Sequence, residues 1–160
     1  MDKSKTLFFT GHRNAYKTEG ARDYEALEKA IASFIDKGYK YFISGGAIGF
    51  DTMAAECVLK LKRKGACVSL IFMLPCREQD IKWSEWERKK YRKLLAEADR
   101  VIYIQEHYTR TCMYERNRAM ADASSACIAY CTKRSGGTAY TISYAIQKGI
   151  PVVNIALNTN

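Results

Sequence analysis

Several features that would place this chain in a specialised class of protein are missing from its sequence. Only two prolines and two histidines occur among its 160 residues, no apolar run is long enough to cross a bilayer, and no Asn-Gly pair marks a tight hairpin. Residues Met1–Lys5 lead directly into an apolar run, without the pattern of a signal or transit peptide. We therefore expect one domain over residues 1–160, in the cytoplasm and with no membrane partner.

The cysteines do not form a framework of disulfides or metal ligands. No two of them make a Cys-x-x-Cys pair, and only the two histidines could act as further metal ligands. We expect reduced thiols and no metal site. Cys127 and Cys131 fall on an apolar strand pattern, where a free cysteine acts as a small hydrophobic residue. The six cysteines occupy positions 57, 67, 76, 112, 127 and 131.

Positive charge is in excess, with 26 Lys and Arg against 17 Asp and Glu, a net charge of +9 and a pI near 9.3. An excess of this size favours a polyanionic partner, either a nucleotide or a nucleic acid. Much of the charge falls in two runs, Lys60–Lys64 and Arg88–Lys93. Runs of this kind are usually solvated helix faces, so by themselves they do not indicate DNA binding.

Apolar runs alternate along the chain with segments of helical periodicity. Helices are predicted over residues 20–37, 52–64, 84–97, 113–123 and 138–148. Strands are predicted over residues 6–10, 39–43, 66–74, 100–104, 126–131 and 151–155. Such alternation predicts a Rossmann-like, doubly wound α/β fold, with a mostly parallel sheet of about six strands and helices on both faces. Ligands of such folds bind at the carboxyl ends of the strands.

A first glycine loop follows the second predicted strand. Ser44, Gly45, Gly46 and Gly49 form a turn of small residues, and Asp51 is predicted to begin the next helix as its N-cap. A strand, a glycine loop and a helix N-terminus together make an anion site, because backbone N–H groups point outward and glycine lets a phosphate approach. The alternative is that these glycines only form a tight turn between strand and helix.

A second glycine loop, residues 133–138, lies before the last helix and is predicted to face the same edge of the sheet. Ser135, Gly136, Gly137 and Thr138 would hold a second phosphate or a ribose phosphate. The same edge collects the ends of two further strands, which carry Gly11, His12 and Arg13 and the pair Gln79 and Trp83. Their common location is stronger support for a site than any one segment.

The order of these motifs resembles the YpsA-like proteins of the DprA/LOG superfamily of Rossmann-like proteins. Thr-Gly-His-Arg13 is followed by Ser44-Gly-Gly-Ala-x-Gly-Phe-Asp-x-x-Ala-Ala-Glu56, Pro75…Gln79…Trp83, Tyr114-Glu-Arg-Asn-Arg118 and Gly136-Gly-Thr138. The resemblance covers residues 6 to 155. It implies a nucleotide-derived ligand and, since superfamily members commonly assemble, a homo-oligomer. The superfamily also includes nucleotide phosphoribohydrolases (LOG-like) and a DNA-processing protein (DprA).

Met113-Tyr-Glu-Arg-Asn117 is similar to a motif of the LOG-like enzymes and places Arg116 on the enzymes' arginine. If this chain were an enzyme, the resemblance would make Arg116 a catalytic residue. The acidic residue of those enzymes falls near Tyr140 or Thr141 here, and neither is a carboxylate. N-glycoside hydrolysis usually needs a positioned carboxylate, so the resemblance to the enzymes is incomplete.

The side chains of the predicted site have two interpretations each. Arg13 and Arg116 would clamp phosphates through bidentate contacts, or lie on the surface. His12 would bond a phosphate or ribose hydroxyl, or support the structure. Gln79 and Trp83 would read and stack on a base, or Trp83 would cover the core. Two further residues would bind ribose or cap local backbone, and these are Asn117 and Asp122.

Three functions therefore stand as hypotheses. The favoured one is a sensor or regulatory module that binds a mononucleotide, dinucleotide or ADP-ribose-like ligand, with no other cofactor. The second is a LOG-like nucleoside 5′-monophosphate phosphoribohydrolase. The third is DprA-like binding of nucleic acid, which the charge of +9 suggests.

Overall fold

The computed structural model describes residues 1–14 and 21–157, and within them the predicted alternation of strands and helices is confirmed. The helices are α1 (Ala21–Asp36), α2 (Phe50–Arg63), α3 (Glu85–Glu97), α4 (Cys112–Asp122) and α5 (Gly137–Gln147). The strands are β1 (Thr6–Gly11), β2 (Tyr41–Ser44), β3 (Ser69–Leu74), β4 (Arg100–Tyr103), β5 (Ala126–Tyr130) and β6 (Val152–Asn154). Short 3₁₀ turns lie at Lys3–Lys5 and Ile155–Leu157.

The six strands form one sheet in the order β4-β3-β2-β1-β5-β6. Each of its five strand pairings is parallel. The chain adds strands to one side of β1 as far as β4, then returns to place β5 on the other side. The order therefore reverses between β1 and β5, and the carboxyl ends of these two strands flank the crevice in which such folds bind ligands.

Helices cover both faces of the sheet, because successive strand residues point to opposite faces. On one face Phe9 packs with Phe42 and with residues of α1, α2 and α3. On the other face Phe8 packs with Ile43 and with residues of α4 and α5. Phe8, Phe9 and Phe42 are fully buried, which matches the continuous apolar strands expected of a parallel sheet covered on both sides.

Two predicted strands begin later than the apolar pattern suggests. Tyr39 donates its backbone N–H to Phe34 O, and Ala66 donates its own to Leu61 O. Both residues therefore complete the last turn of the preceding helix instead of joining the sheet. The predicted cap of α3 is confirmed, since the Ser84 hydroxyl accepts the N–H of Glu87 at 3.2 Å.

Candidate functional site

The first glycine loop, residues 44–49, is filled by the protein's own side chains. A Cβ atom added to Gly45 would lie 2.7 Å from Arg116 Nη1 and 2.9 Å from Asp51 Oδ2. One added to Gly46, whose φ is +71°, would lie 2.7 Å from Leu74 Cδ2. Glycine is thus required at both positions by tight internal packing as well as, at Gly46, by the left-handed backbone.

Hydrogen bonds inside this loop use groups that were predicted to bind phosphate. The Ser44 hydroxyl donates to Asp51 O at 3.0 Å and accepts the N–H of Gly46 at 3.1 Å. The carboxylate of Asp51 accepts the N–H of Ala47 at 3.2 Å. An internal carboxylate therefore occupies a donor that an anionic ligand would otherwise use, and the phosphate role of these residues stays a prediction.

The prediction that Asp51 is the N-cap of its helix is wrong. Helix α2 begins at Phe50, and its N-cap is Gly49, with a φ of +86° and no side-chain cap. The backbone of Arg13 lies so close to Gly49 that a Cβ atom there would collide with the Arg13 carbonyl group. A capping aspartate at position 49 is excluded by that contact, so Asp51 instead turns back to the loop from the first helical turn.

Asp51 and Arg116 form a buried pair of opposite charge beneath the loop. Their residues are only 6% and 5% exposed. Burial raises the pKa of Asp51 to about 6, although Arg116 and the N–H of Ala47 act in the opposite direction. Burial likewise lowers the pKa of Arg116, and Asp51 is the first of the groups that oppose the change. Desolvation thus outweighs the attraction between them for each group.

The guanidinium of Arg116 is held from several sides. Its Nη1 donates to Gly45 O at 2.5 Å, and its Nε donates to Asn117 Oδ1 at 2.8 Å. Gln79 completes the network, since its Oε1 lies 3.4 Å from Arg116 Nη1 and its Nε2 lies 3.2 Å from Tyr91 Oη. These contacts join α4 to the first glycine loop and to the segment after β3. In this arrangement Arg116 organises the floor of the site.

His12 and Arg13 connect the two sides of the crevice. His12 Nε2 accepts the backbone N–H of Thr132 at 2.9 Å, and His12 O accepts that of Phe50 at 3.1 Å. Because burial lowers the pKa of His12, with a further contribution from Lys133, its neutral form is favoured, as an accepting nitrogen requires. The side chain of Arg13 is exposed. Gly11 leaves room for Phe50, whose ring a Cβ atom there would overlap.

The second glycine loop, residues 133–138, is open. Ser135, Gly136 and Gly137 are exposed, and Cβ atoms added to either glycine would meet nothing within 4 Å. Gly136 is the N-cap of α5, with a φ of +103° and no side-chain cap bond. Thr138 is half-buried behind it. The positive end of the α5 dipole therefore faces an unfilled space, in contrast to the first loop.

A cleft of about 510 Å³ lies next to these loops. It is lined by Arg13 and Lys82, by Trp83 and Tyr108, and by Gln79 on its floor. Trp83 also packs edge-on against Tyr91, with ring centroids 5.0 Å apart, so it both covers the core and faces the cleft. The two interpretations of Trp83 offered by the sequence are therefore compatible.

Several residues around this cleft were missed by the sequence analysis. Lys82, Tyr108 and Met113 line it, and Met113 Sδ also lies 3.8 Å from Arg116 Nη2. A position one residue before Trp83 could have identified Lys82. Tyr108 falls in an irregular segment between β4 and α4, which has no periodicity to place it. Asp122 accepts a hydrogen bond from Tyr144 Oη at 2.8 Å, away from these residues.

The described residues contain no helix long and apolar enough to cross a bilayer. The six cysteines are present as free thiols.

Known proteins similar to this chain agree with the fold and the motif order. YoqJ, an uncharacterized SPbeta prophage-derived protein of Bacillus subtilis, is 33% identical over 134 residues, which cover 76% of this chain and 78% of YoqJ. The crystal structure of DNA processing protein A (DprA) from Streptococcus pneumoniae has a TM-score of 0.68 at 18% identity. DprA from Helicobacter pylori, described for its single-stranded DNA binding mode, has the same two values.

Both DprA structures are matched over 94% of this chain, but the match spans only 50% and 65% of the DprA chains. At this identity the likeness concerns the fold alone. The model of the YspA SLOG family matches residues 9–151, and this range contains both glycine loops, Arg13 and Arg116. The chain therefore belongs to the YspA SLOG family, the YpsA-like group that its motifs had indicated.

Proposed function

We propose that this chain binds a nucleotide or nucleotide-derived ligand at the carboxyl edge of its sheet and acts as a sensor or regulatory module. The observation that carries the proposal is the cleft of about 510 Å³, in which two cations, Arg13 and Lys82, face the same space as two aromatic side chains, Trp83 and Tyr108. Cations suit a phosphate and aromatic faces suit a base, and a nucleotide combines both groups.

The open N-terminus of α5 supports a phosphate position beside the cleft. Gly136 and Gly137 leave space in front of the first turn of α5, and His12 bonds the backbone of Thr132 on the approach to that loop. A ligand phosphate placed there would meet the helix dipole and backbone N–H groups. The first glycine loop, already bonded internally, then forms a wall of the site and holds Arg116 in place.

Binding without hydrolysis is favoured by the chemistry near α5. Thr141 is buried, and its hydroxyl donates to Gly137 O at 2.8 Å. Tyr140 accepts a hydrogen bond from Arg118 Nη1 at 3.2 Å. Neither position supplies the carboxylate that N-glycoside hydrolysis uses. Incubation with nucleoside monophosphates should therefore release no free base, as measured by chromatography.

Calorimetry with a panel of nucleotides tests the proposal. The panel contains AMP, GMP, ADP, ATP, NAD and ADP-ribose, and we expect saturable binding of at least one. Arg13→Ala and Tyr108→Ala remove exposed side chains from the cleft, so each should weaken that binding by about tenfold while leaving the fold intact. Arg100→Ala is the matched control, because Arg100 is exposed at the start of β4, on the opposite edge of the sheet.

The absence of binding to every member of the panel would contradict the proposal. So would binding that Arg13→Ala, Tyr108→Ala and Arg100→Ala leave equally strong. In that second case the ligand would lie elsewhere on the molecule, and the cleft would have no part in holding it.

A further inference from the structure

Helix α3 carries a row of cations beside the cleft. Arg88 and Arg92 share one carboxylate, since their Nε atoms lie 3.3 and 3.9 Å from Asp80 Oδ2. Lys89 and Lys93, one helical turn apart, have no hydrogen bond or ion pair to any of the described residues. The outward face of α3 is therefore more positive than its internal partners neutralise.

Concave surface continues from the cleft along this helix. Trp83 lines the cleft and also a second space of about 510 Å³, bordered by Arg88, Lys89 and Arg92. A third space, of about 410 Å³, is bordered by Lys90 and Lys93 together with Lys60 and Arg63 of α2. Helix α3 has 13 residues and so extends about 20 Å at 1.5 Å per residue. The three spaces follow one another along that length.

An exposed aromatic ring accompanies the cations. Trp86 is 64% exposed, and it precedes Lys89 and Lys93 by three and seven residues on the same side of the helix. Lys90 lies 5.0 Å from the centroid of its ring. A large apolar side chain this exposed is costly on a helix surface unless it has a partner. Alternating cations and flat rings are the features by which proteins hold unpaired bases on a charged backbone.

We infer that the ligand of the cleft is the end of a single-stranded oligonucleotide, whose backbone continues along the outward face of α3. This inference rests on the proposed function, because it places one terminal nucleotide in the cleft beside Trp83. The following phosphates then meet Arg88, Lys89 and Lys93, and a base stacks on Trp86.

Two observations favour a single strand over other polyanions. The spaces beside α3 are narrow and successive, as suits one backbone, whereas a duplex presents two phosphate rows that would need a broad basic surface. An acidic protein segment would use the cations, but it would leave Trp83 and Trp86 without flat partners of their own. DNA and RNA strands share the chemistry used here, and an oligonucleotide of each distinguishes them.

Fluorescence anisotropy with labelled oligo-dT and oligo-rU of two to twelve nucleotides, alongside calorimetry with the mononucleotide that binds best, tests this inference. We expect affinity to rise with length up to several nucleotides and to fall with salt. Lys89→Ala combined with Lys93→Ala should weaken binding of the eight-nucleotide strand by roughly 10- to 30-fold at 0.1 M salt and reduce the slope of log K against log salt by about 1.4, at roughly 0.7 per lost contact. Trp86→Ala should weaken it by about tenfold.

The matched control is Lys3→Ala combined with Lys5→Ala, which removes the same charge from the exposed amino-terminal segment. It should leave strand binding within about twofold of the wild type, and the Lys89/Lys93 variant should leave mononucleotide binding unchanged. Strands that bind no tighter than the mononucleotide would overturn the inference and leave the proposed function standing. Duplex of the same length binding as tightly, or equal losses in both double variants, would also overturn it. If neither strands nor mononucleotides bind, both proposals fail.

Discussion

At the scale of single residues, Asp51 and Arg116 determine how the site is held. Both were expected to face a ligand, yet both are nearly fully buried and bonded to the first glycine loop. A buried pair of this kind contributes little net stability, because removing the charges from water costs about as much as their attraction returns. Its value lies in fixing the loop and α4 in one arrangement.

The raised pKa of Asp51 makes stability depend on pH. The carboxyl has an ordinary pKa of 3.8 in the unfolded chain and about 6 in the fold. The folded state therefore binds the proton more tightly, and its contribution is fully present below pH 3.8 and lost as the pH rises through 6. Relative to Asp51→Asn, which has no proton to lose, the wild type should become less stable by up to about 3 kcal/mol between pH 4 and pH 7.

Denaturant unfolding of both proteins at pH 4, 5, 6 and 7 measures this difference. Asp36→Asn, a change at an exposed aspartate, is the control and should follow the wild type at every pH. If the free energies of unfolding of wild type and Asp51→Asn differed by a constant amount over the whole range, Asp51 would not titrate in this interval and the burial argument would be wrong.

At the scale of elements, two loops with the same sequence signal have different surroundings. The first is packed against Arg116, Leu74 and the backbone of Arg13, whereas the second opens to solvent. The reason lies outside both loops. Helix α4 brings Arg116 beneath the first loop from 71 residues away along the chain, and no described residue approaches Gly136 or Gly137 in the same way.

This difference predicts opposite effects of one substitution. Gly45→Ala would force a Cβ atom against Arg116 and Asp51, so it should lower the free energy of unfolding by about 1–3 kcal/mol. Gly137→Ala meets no neighbour and should leave stability unchanged or raise it by up to about 1 kcal/mol. If the N-terminus of α5 holds a phosphate, Gly137→Ala should nevertheless weaken nucleotide binding by about tenfold.

Chemical denaturation and calorimetry on the two variants separate these outcomes. Equal destabilisation by both changes would mean that the second loop is packed as tightly as the first. A Gly137→Ala protein with normal stability and normal affinity would remove α5 from the proposed phosphate site while leaving the cleft to be tested by Arg13→Ala.

The elements themselves could be predicted from the sequence, because each depends on local patterns. Apolar runs gave the six strands, and Ser84 marked the start of α3. The environment of each loop could not be predicted in this way. That Arg116 lies under Gly45, or that Tyr108 lies across from Trp83, depends on contacts between distant segments. Asp51 was assigned as a cap since its residue type favours that role, and only the approach of Arg13 to Gly49 excludes it.

At the scale of the whole molecule, the sheet separates a functional edge from a structural one. The carboxyl ends of β1, β2, β3 and β5 carry the loops of the candidate site, while the amino ends receive turns that close helices, such as Gly65 and Gly149. His12 joins the two halves of the functional edge across the point where strand order reverses. A ligand bound there would contact segments from several strands at once.

Hydrogen exchange should reveal this division directly. Addition of a nucleotide that binds should slow exchange at residues 136–139, 11–14 and 79–83, because a ligand that binds only the closed site suppresses local opening there. The turns at residues 64–68 and 148–151 exchange through their own local openings at the opposite edge, so their rates should not change. Protection confined to residues 79–83 would place the ligand in the cleft without the N-terminus of α5. Protection of both edges alike would indicate that the ligand stabilises the whole fold and would contradict a site limited to the carboxyl edge.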